Sequence, residues 1–265
     1  MLPDMIATAL RARLRWLLGW GAGVLVAIII WLGITPSLSF ENLPDWLELT
    51  ILADEGGEGV LFTLILPFLM GVPLVLEASR WLGEEISRET IAFLLTLPVR
   101  RWILFLGGWG FHVLLLLLLL GSGIIGGWLG VTVLEGGRSV SSILTPARWV
   151  ALGLFLMLLI HVGMLAALFA ANTWVGMGSA VGLMSASLLL YGWSQHIPFL
   201  TWLRFILPWY YYVVTIQGGE SVQVGWWFMG GINLLLAGGL AWIFRQGRIL
   251  EAPQYSKDKK LLTER

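Results

Sequence analysis

Histidine is the residue type in this sequence that could take part in the most kinds of chemistry. The positions of the histidines limit the kinds of site that the chain can form. The only histidines are His112, His161 and His196. The first two fall inside long apolar stretches, where imidazole could ligate haem or a metal ion. None has a second histidine or a glutamate three or four residues away to complete a ligand pair on one helical face. We therefore expect these histidines to pack or to form hydrogen bonds between helices.

The positions of the lysines and the absence of cysteine exclude further kinds of functional site. The lysines occupy only positions 257, 259 and 260. A phosphate-binding Gly-rich loop needs a glycine directly before a lysine and a Ser or Thr directly after it, and none of these lysines has such neighbours. Cysteine is absent, which excludes disulfides and thiolate ligands. The formal net charge is +0, which gives no electrostatic reason to expect nucleic-acid binding. We predict no catalytic residue, and any ATP and Mg must be bound by another polypeptide.

Apolar stretches account for most of the chain. Hydrophobic residues make up 58% of it and charged residues 12%, and that charged share is about half of what a soluble domain carries. A helix needs roughly 20 apolar residues to cross a bilayer. The sequence predicts an all-α integral membrane protein with one domain over 1–250 and a charged tail over 251–265. We expect glycines to loosen the end of the third span. A short polar segment should separate the fourth span from the fifth. The predicted spans are 16–34, 59–78, 102–129, 149–171, 174–193 and 226–244.

Basic residues indicate the orientation, because they concentrate on the cytoplasmic side of a membrane. Six spans place both termini and the second and fourth loops on one side. Of the 16 basic residues, only Arg138, Arg148 and Arg204 fall outside those segments. We therefore predict a multi-pass protein of the cell (plasma or inner) membrane with both termini in the cytoplasm. Asp4–Arg15 reads as a short amphipathic helix on the inner membrane surface.

The segment between the second and third spans carries most of the functional information. Apolar residues recur at helical spacing from Leu82 to Leu97, and charged residues occupy the rest of the surface. Glu85 and Glu89 form a like-charged pair four residues apart, which is mildly unfavourable in an isolated helix. A partner with a basic residue would relieve that repulsion. Pro98 then ends the helix before the third span.

This segment resembles the conserved cytoplasmic stretch of type-2 permeases of ATP-binding cassette (ABC) transporters of the exporter type. In that family a Glu precedes Gly-Thr, and Leu-Leu, Pro and Arg follow before the third span. Here Glu89 stands where the family commonly has Gly, and Gly107-Gly108 where a Lys often follows. The resemblance implies that this helix couples the permease to its ATPase. The implied docking residues are Trp81, Glu84, Glu85, Ile86, Arg88, Glu89, Thr90, Leu94, Leu95, Pro98, Arg100 and Arg101.

The resemblance further implies an assembly that composition could not show. Such permeases pair two six-span subunits, as a homo- or heterodimer, with two cytoplasmic ABC ATPase subunits. Family members also carry half-helices that re-enter the membrane between spans five and six. In this chain 197–219 is well placed for them, since Pro198 and Pro208 interrupt an aromatic run. An outer loop lying flat on the surface is the alternative.

A solute pathway between two subunits is also suggested by polarity. The first three spans offer almost no uncharged polar side chain apart from Thr63 and Ser122. A solute path through one helical bundle would therefore be lined almost entirely by apolar side chains, whereas two copies of the chain could enclose a cavity between them. The candidate lining residues are Asn172, Ser179 and Asn233. The small residues of span five could equally serve close packing within the subunit.

Two functions follow from these observations. The first is the non-catalytic membrane subunit of an ATP-driven transporter that moves its substrate outward. The alternative is a six-span protein without an ATPase, either a haem- or metal-binding membrane enzyme or an ion-coupled carrier. The near absence of charge within the spans argues against ion coupling.

Overall fold

The computed structural model describes residues 2–34, 57–87, 101–134, 143–217 and 222–246, and every regular element in these ranges is helical. A turn (Gly57–Val60) and a π-helical segment (Leu61–Ile65) precede the second helix, and a 3-10 helix (Pro198–Ile206) joins the fifth to the sixth. The main helices are α1 (Leu2–Ile34), α2 (Leu66–Ser87), α3 (Arg101–Leu134), α4 (Pro146–Ala170), α5 (Thr173–His196), α6 (Pro208–Gln217) and α7 (Val222–Gln246).

Within the described residues, five helical stretches are long and apolar enough to cross a membrane. They correspond to predicted spans two to six, which confirms an all-helical multi-pass membrane protein at that level of detail. The apolar part of α1, Leu18–Ile34, is shorter than the others, so the sixth crossing stays a prediction. The five stretches are Leu61–Gly83, Phe105–Val133, Pro146–Ala170, Thr173–His196 and Val222–Gln246.

Two helices extend beyond the predicted spans, at the start of α1 and at the end of α2. The N-terminal segment 4–15 is helical, but it continues into the first span as one helix from Leu2 to Ile34. Likewise, α2 runs through the predicted boundary at residue 78 as far as Ser87. Neither junction contains a proline, and most residues there are good helix formers, so nothing interrupts the backbone hydrogen bonds.

Helix α3 also continues beyond the predicted end of the third span at Leu129, as far as Leu134. The glycines expected to loosen this region instead allow close packing. Gly126 lies against the backbone of Leu25 in α1, and a Cβ built on it would be 3.0 Å from the Leu25 Cα. Small residues let membrane helices approach in this way. Helix α1 therefore packs along the second half of α3 and supports it.

Five segments meet at one end of the bundle, which we call the base. The end of α2 lies beside the α4–α5 turn, since a Cβ on Gly83 would be 2.6 Å from the Thr173 nitrogen. Trp81 and Phe105, near the end of α2 and the start of α3, both contact Phe244 near the end of α7. Helix α1 runs parallel to α3, so the N-terminal half of α1 lies toward the base, as the start of α3 does. The base thus gathers both ends of the described chain.

The opposite end of the bundle is held by a contact between the π-helical segment and α6. Pro67 has no N–H group, so it cannot donate to the backbone carbonyl one turn earlier. The hydroxyl of Tyr212 instead donates to the carbonyl of Phe62. Tyr212 is fully buried and stacks on Phe155 of α4, with ring centroids 4.7 Å apart. Helix α6 is therefore packed inside the bundle.

Candidate functional site

Trp81 occupies the centre of an aromatic group at the base. Its indole ring stacks on Phe244 with a centroid distance of 6.2 Å and an interplanar angle of 5°, and it lies 5.6 Å from the His112 ring. Gly108 provides the space, because a Cβ there would overlap the indole. Phe105 contacts the other side of Phe244 at 5.2 Å. We call Trp81, Phe105, Gly108, His112 and Phe244 the Trp81 cluster, and it joins α2 to α3 and α7.

The other side of α2 is enclosed by α4 and α5. Buried Ser79 lies between Gly163 and Gly176, where a Cβ on Gly176 would be 2.6 Å from both the Gly163 carbonyl oxygen and the Ser79 Oγ. Ala171, with a φ of 49°, reverses the chain directly after α4. The last turns of α2 therefore touch four helices, and motion of this segment would act on all of them.

A chain of hydrogen bonds links α3, α4 and α7 inside the bundle. Trp109 Nε1 donates to His161 Nε2 at 3.0 Å, and His161 Nδ1 lies 2.9 Å from Asn233 Oδ1. The Asn233 amide nitrogen donates to the carbonyls of Leu154 and Met229, each at 2.9 Å. We call Trp109, His161 and Asn233 the polar network. It confirms that His161 serves as an interhelical hydrogen-bonding residue.

The polar network fixes the tautomer of His161. Since Nε2 accepts from the indole of Trp109, Nδ1 must carry the proton and donate to Asn233. Neither nitrogen of His161 then offers a lone pair to a metal ion. Within the described part of the chain, no group of three or more His, Asp or Glu side chains could hold a metal. His112 differs, because its Nδ1 engages the Gly108 carbonyl at 2.7 Å within α3.

The predicted docking residues are only partly within the described residues. The indole of Trp81 is half-buried and faces α3 and α7. Residues 84–87 form the last turn of α2, and α3 begins at Arg101. The positions outside the described residues are Arg88, Glu89, Thr90, Leu94, Leu95, Pro98 and Arg100. The docking role of the whole set stays a prediction.

The three predicted lining residues occupy different environments. Asn172 is the N-cap of α5, and its side chain accepts from the backbone nitrogens of Trp174 and Val175. Ser179 is exposed on the outer face of α5, whereas Asn233 is buried in the polar network. Within one chain the structure does not bring them together.

Sequence reasoning missed Gly108, Trp109 and Phe244 as parts of the site. Trp109 and Phe244 resembled the tryptophans and phenylalanines that commonly anchor spans in lipid. One available signal was the adjacency of Gly107-Gly108 and Trp109 to a histidine one turn later. A second was the occurrence of Asn233 in an otherwise apolar span, because buried amides need partners.

A comparison with known protein families, curated proteins and solved structures finds no match for this chain.

Removing the imidazole of His161 should measurably destabilise the bundle. In His161→Leu the Trp109 indole and the Asn233 carbonyl oxygen both lose a partner in a buried site. Interhelical hydrogen bonds in membranes average about 0.6 and reach about 1.7 kcal/mol each. We expect the free energy of unfolding to fall by about 2 kcal/mol, measured by denaturant titration in detergent micelles. His196→Leu, at an exposed position, is the control. Equal stability of the two variants would contradict the role assigned to the polar network.

Proposed function

We propose that this chain is the membrane-spanning permease subunit of an ATP-driven ABC transporter and exports a substrate across the cell membrane. It contributes no catalytic residue, and a separate cytoplasmic subunit binds ATP and Mg. The segment 81–101 is the contact to that ATPase. Two permease chains, identical or homologous, and two ATPase chains form the complex.

The observation that carries this proposal is the packing of α2 at the base. The predicted docking segment begins on the last turns of α2, and these turns hold the Trp81 cluster on one side and the α4–α5 turn on the other. A partner that moved residues 84–101 would therefore displace α3, α4, α5 and α7 together. Such a rigid connection suits the transmission of ATPase closure to a transmembrane bundle, because packed interfaces move between discrete states.

The surfaces of α5 and α7 support pairing with a second permease chain. Both helices leave most of their span outside the single-chain bundle. On α5 the outward face includes Gly178, Ser179 and Gly182, and no neighbour lies within 4 Å of a Cβ built on either glycine. Small residues at that spacing allow close approach of another membrane helix. In the dimer, Asn172 and Ser179 would face the partner, and Asn233 would stabilise the helix behind them.

The proposed orientation places the base in the cytoplasm. The positive-inside rule supports this choice, since Arg80 and Arg245 lie near the base. A single cysteine introduced at Ser87 should react with an impermeant thiol reagent only after the cells are permeabilised. Labelling of that cysteine in intact cells would reverse the orientation.

The rival function is a haem- or metal-binding membrane enzyme. His161 does not favour it, because both of its ring nitrogens are occupied by protein groups. A Soret absorption band in the purified protein would support the rival and contradict the permease proposal.

Reversing the two like-charged glutamates should weaken binding of the ATPase. The pair Glu85 and Glu89 calls for a basic partner, and exposed ion pairs contribute about 1 kcal/mol or less each. We therefore expect the double variant Glu85→Lys/Glu89→Lys to retain roughly one tenth of the co-purifying ATPase, measured by quantitative pull-down from membranes.

A matched control makes the same change of net charge elsewhere. Glu251→Lys/Asp258→Lys lies in the C-terminal tail and should leave the ATPase bound at the wild-type level. Wild-type co-purification in the Glu85/Glu89 variant would contradict the assignment of 81–101 as the docking segment.

A further inference from the structure

The 3-10 helix Pro198–Ile206 lies at the end of the bundle opposite the base, directly after α5. It is fixed to α6 by the Tyr211 hydroxyl, which donates to the Phe205 carbonyl at 2.8 Å. Tyr211 in turn stacks on Phe228 of α7, with ring centroids 3.6 Å apart. The 3-10 helix therefore has a defined position at the end of α5, where that helix leaves the hydrocarbon layer of the membrane.

Arg204 is the only charged residue of this segment, and aromatic rings surround it. Its Cζ lies 4.8 Å from the ring centroid of Phe205 and 6.0 Å from that of Tyr210. The Nε group is buried and has no hydrogen-bond acceptor in the described part of the chain. Among the described side chains the single carboxylate is Glu77, and α2 carries it toward the base. The described protein therefore places a cation beside two aromatic rings without supplying an anion.

Large apolar side chains beside Arg204 point away from the protein. Phe199 is 72% exposed, Trp202 60% and Ile206 61%. Tryptophan and tyrosine rings prefer the level of the lipid headgroups, and arginine side chains extend to the same level. A cation with adjacent exposed apolar groups matches the layout of a phospholipid, whose phosphate lies directly above its acyl chains.

We propose that Arg204 binds the phosphate of an anionic phospholipid, and that the acyl chains of this lipid lie against Phe199, Trp202 and Ile206. Because Nε is buried, the two terminal nitrogens of the planar guanidinium are the groups that can donate parallel hydrogen bonds to phosphate oxygens. A lipid with net negative charge is favoured, because the phosphate of phosphatidylcholine is neutralised by its own choline group. This inference is independent of the proposed ATPase partner.

The test is native mass spectrometry of the purified full-length protein with phosphatidylglycerol or phosphatidylcholine added at equal concentration. We expect wild-type protein to retain phosphatidylglycerol about tenfold more than phosphatidylcholine, as a charge-assisted hydrogen-bond pair permits. Arg204→Gln should abolish that preference. Arg245→Gln, an exposed arginine at the base, should keep it. Millimolar inorganic phosphate should not compete, because it lacks acyl chains.

Several results would overturn the proposal. They are an unchanged preference in Arg204→Gln, an equal loss in Arg245→Gln, equal retention of both lipids by the wild type, or displacement by inorganic phosphate. If Arg204→Gln does not fold, Arg204→Lys carries the test. Lysine keeps the charge but lacks the planar pair of donors, so the preference should fall about threefold. An unchanged preference in Arg204→Lys would then overturn the proposal.

Discussion

In the proposed transporter complex, leucine at position 108 should uncouple ATP hydrolysis from the membrane subunit, whereas leucine at position 107 should leave the two coupled. A Cβ on Gly108 overlaps the Trp81 indole, but no neighbour lies within 4 Å of a Cβ on Gly107. In Gly108→Leu the indole must leave its place against Phe244, so the end of α2 loses its contact with α3 and α7. We expect stimulation of the ATPase by the permease to fall at least tenfold, within the usual range of coupling energies.

The measurement compares ATP hydrolysis by the complex containing each leucine variant in the same lipid. Binding of the ATPase is quantified in parallel, because residues 84–101 keep their sequence and the proposed partner should still bind them. Equal hydrolysis by the Gly107 and Gly108 variants would show that the Trp81 cluster does not transmit the signal.

The largest loss of stability should come from Gly176→Leu. A Cβ at this position would lie 2.6 Å from the carbonyl oxygen of Gly163 and 2.7 Å from the Cβ of Ala167. Since a backbone oxygen cannot rotate away, α4 and α5 would have to separate. Ordinary overpacking of a core costs about 1–3 kcal/mol. We expect about 4 kcal/mol here, or no folded protein at all.

The control for that prediction is an exposed glycine of α3. No neighbour lies within 4 Å of a Cβ built on Gly107, so Gly107→Leu removes only the conformational freedom of glycine and should gain up to about 1 kcal/mol. Both variants are compared by the free energy of unfolding in detergent and by the yield of monodisperse protein. Similar behaviour of the two would contradict the close approach of α4 and α5.

Hydropathy was sufficient to predict the five long apolar helices, because a span needs about 20 apolar residues and few other segments contain so many. Glycine was harder to interpret. At Gly126 it was taken as a point of weakness, yet it permits contact with Leu25 of α1. The same residue can loosen an isolated helix or tighten a pair of helices. Only the position of the neighbouring helix decides between these effects.

The candidate site could not be predicted in detail because its contacts join distant parts of the chain. The Trp109–His161 bond spans 52 residues and the His161–Asn233 bond spans 72. No local pattern specifies such pairs. Hydrogen bonding by His161 was predicted from the absence of nearby ligands, but its partners follow from helix packing alone. Similarly, the bond from the Tyr212 hydroxyl to the Phe62 carbonyl joins residues 150 positions apart.

The intact mass of the complex purified from its native membrane tests the central proposal most directly. A permease whose ATP site lies in a separate subunit should copurify with two soluble ATPase chains and a second six-span chain. We predict a mass equal to that of two permease chains and two ATPase chains, with the permease chain contributing 29.4 kDa per copy when both copies are identical. A functional particle that contains this chain without any ATPase subunit, or with a single six-span chain, would contradict the proposal.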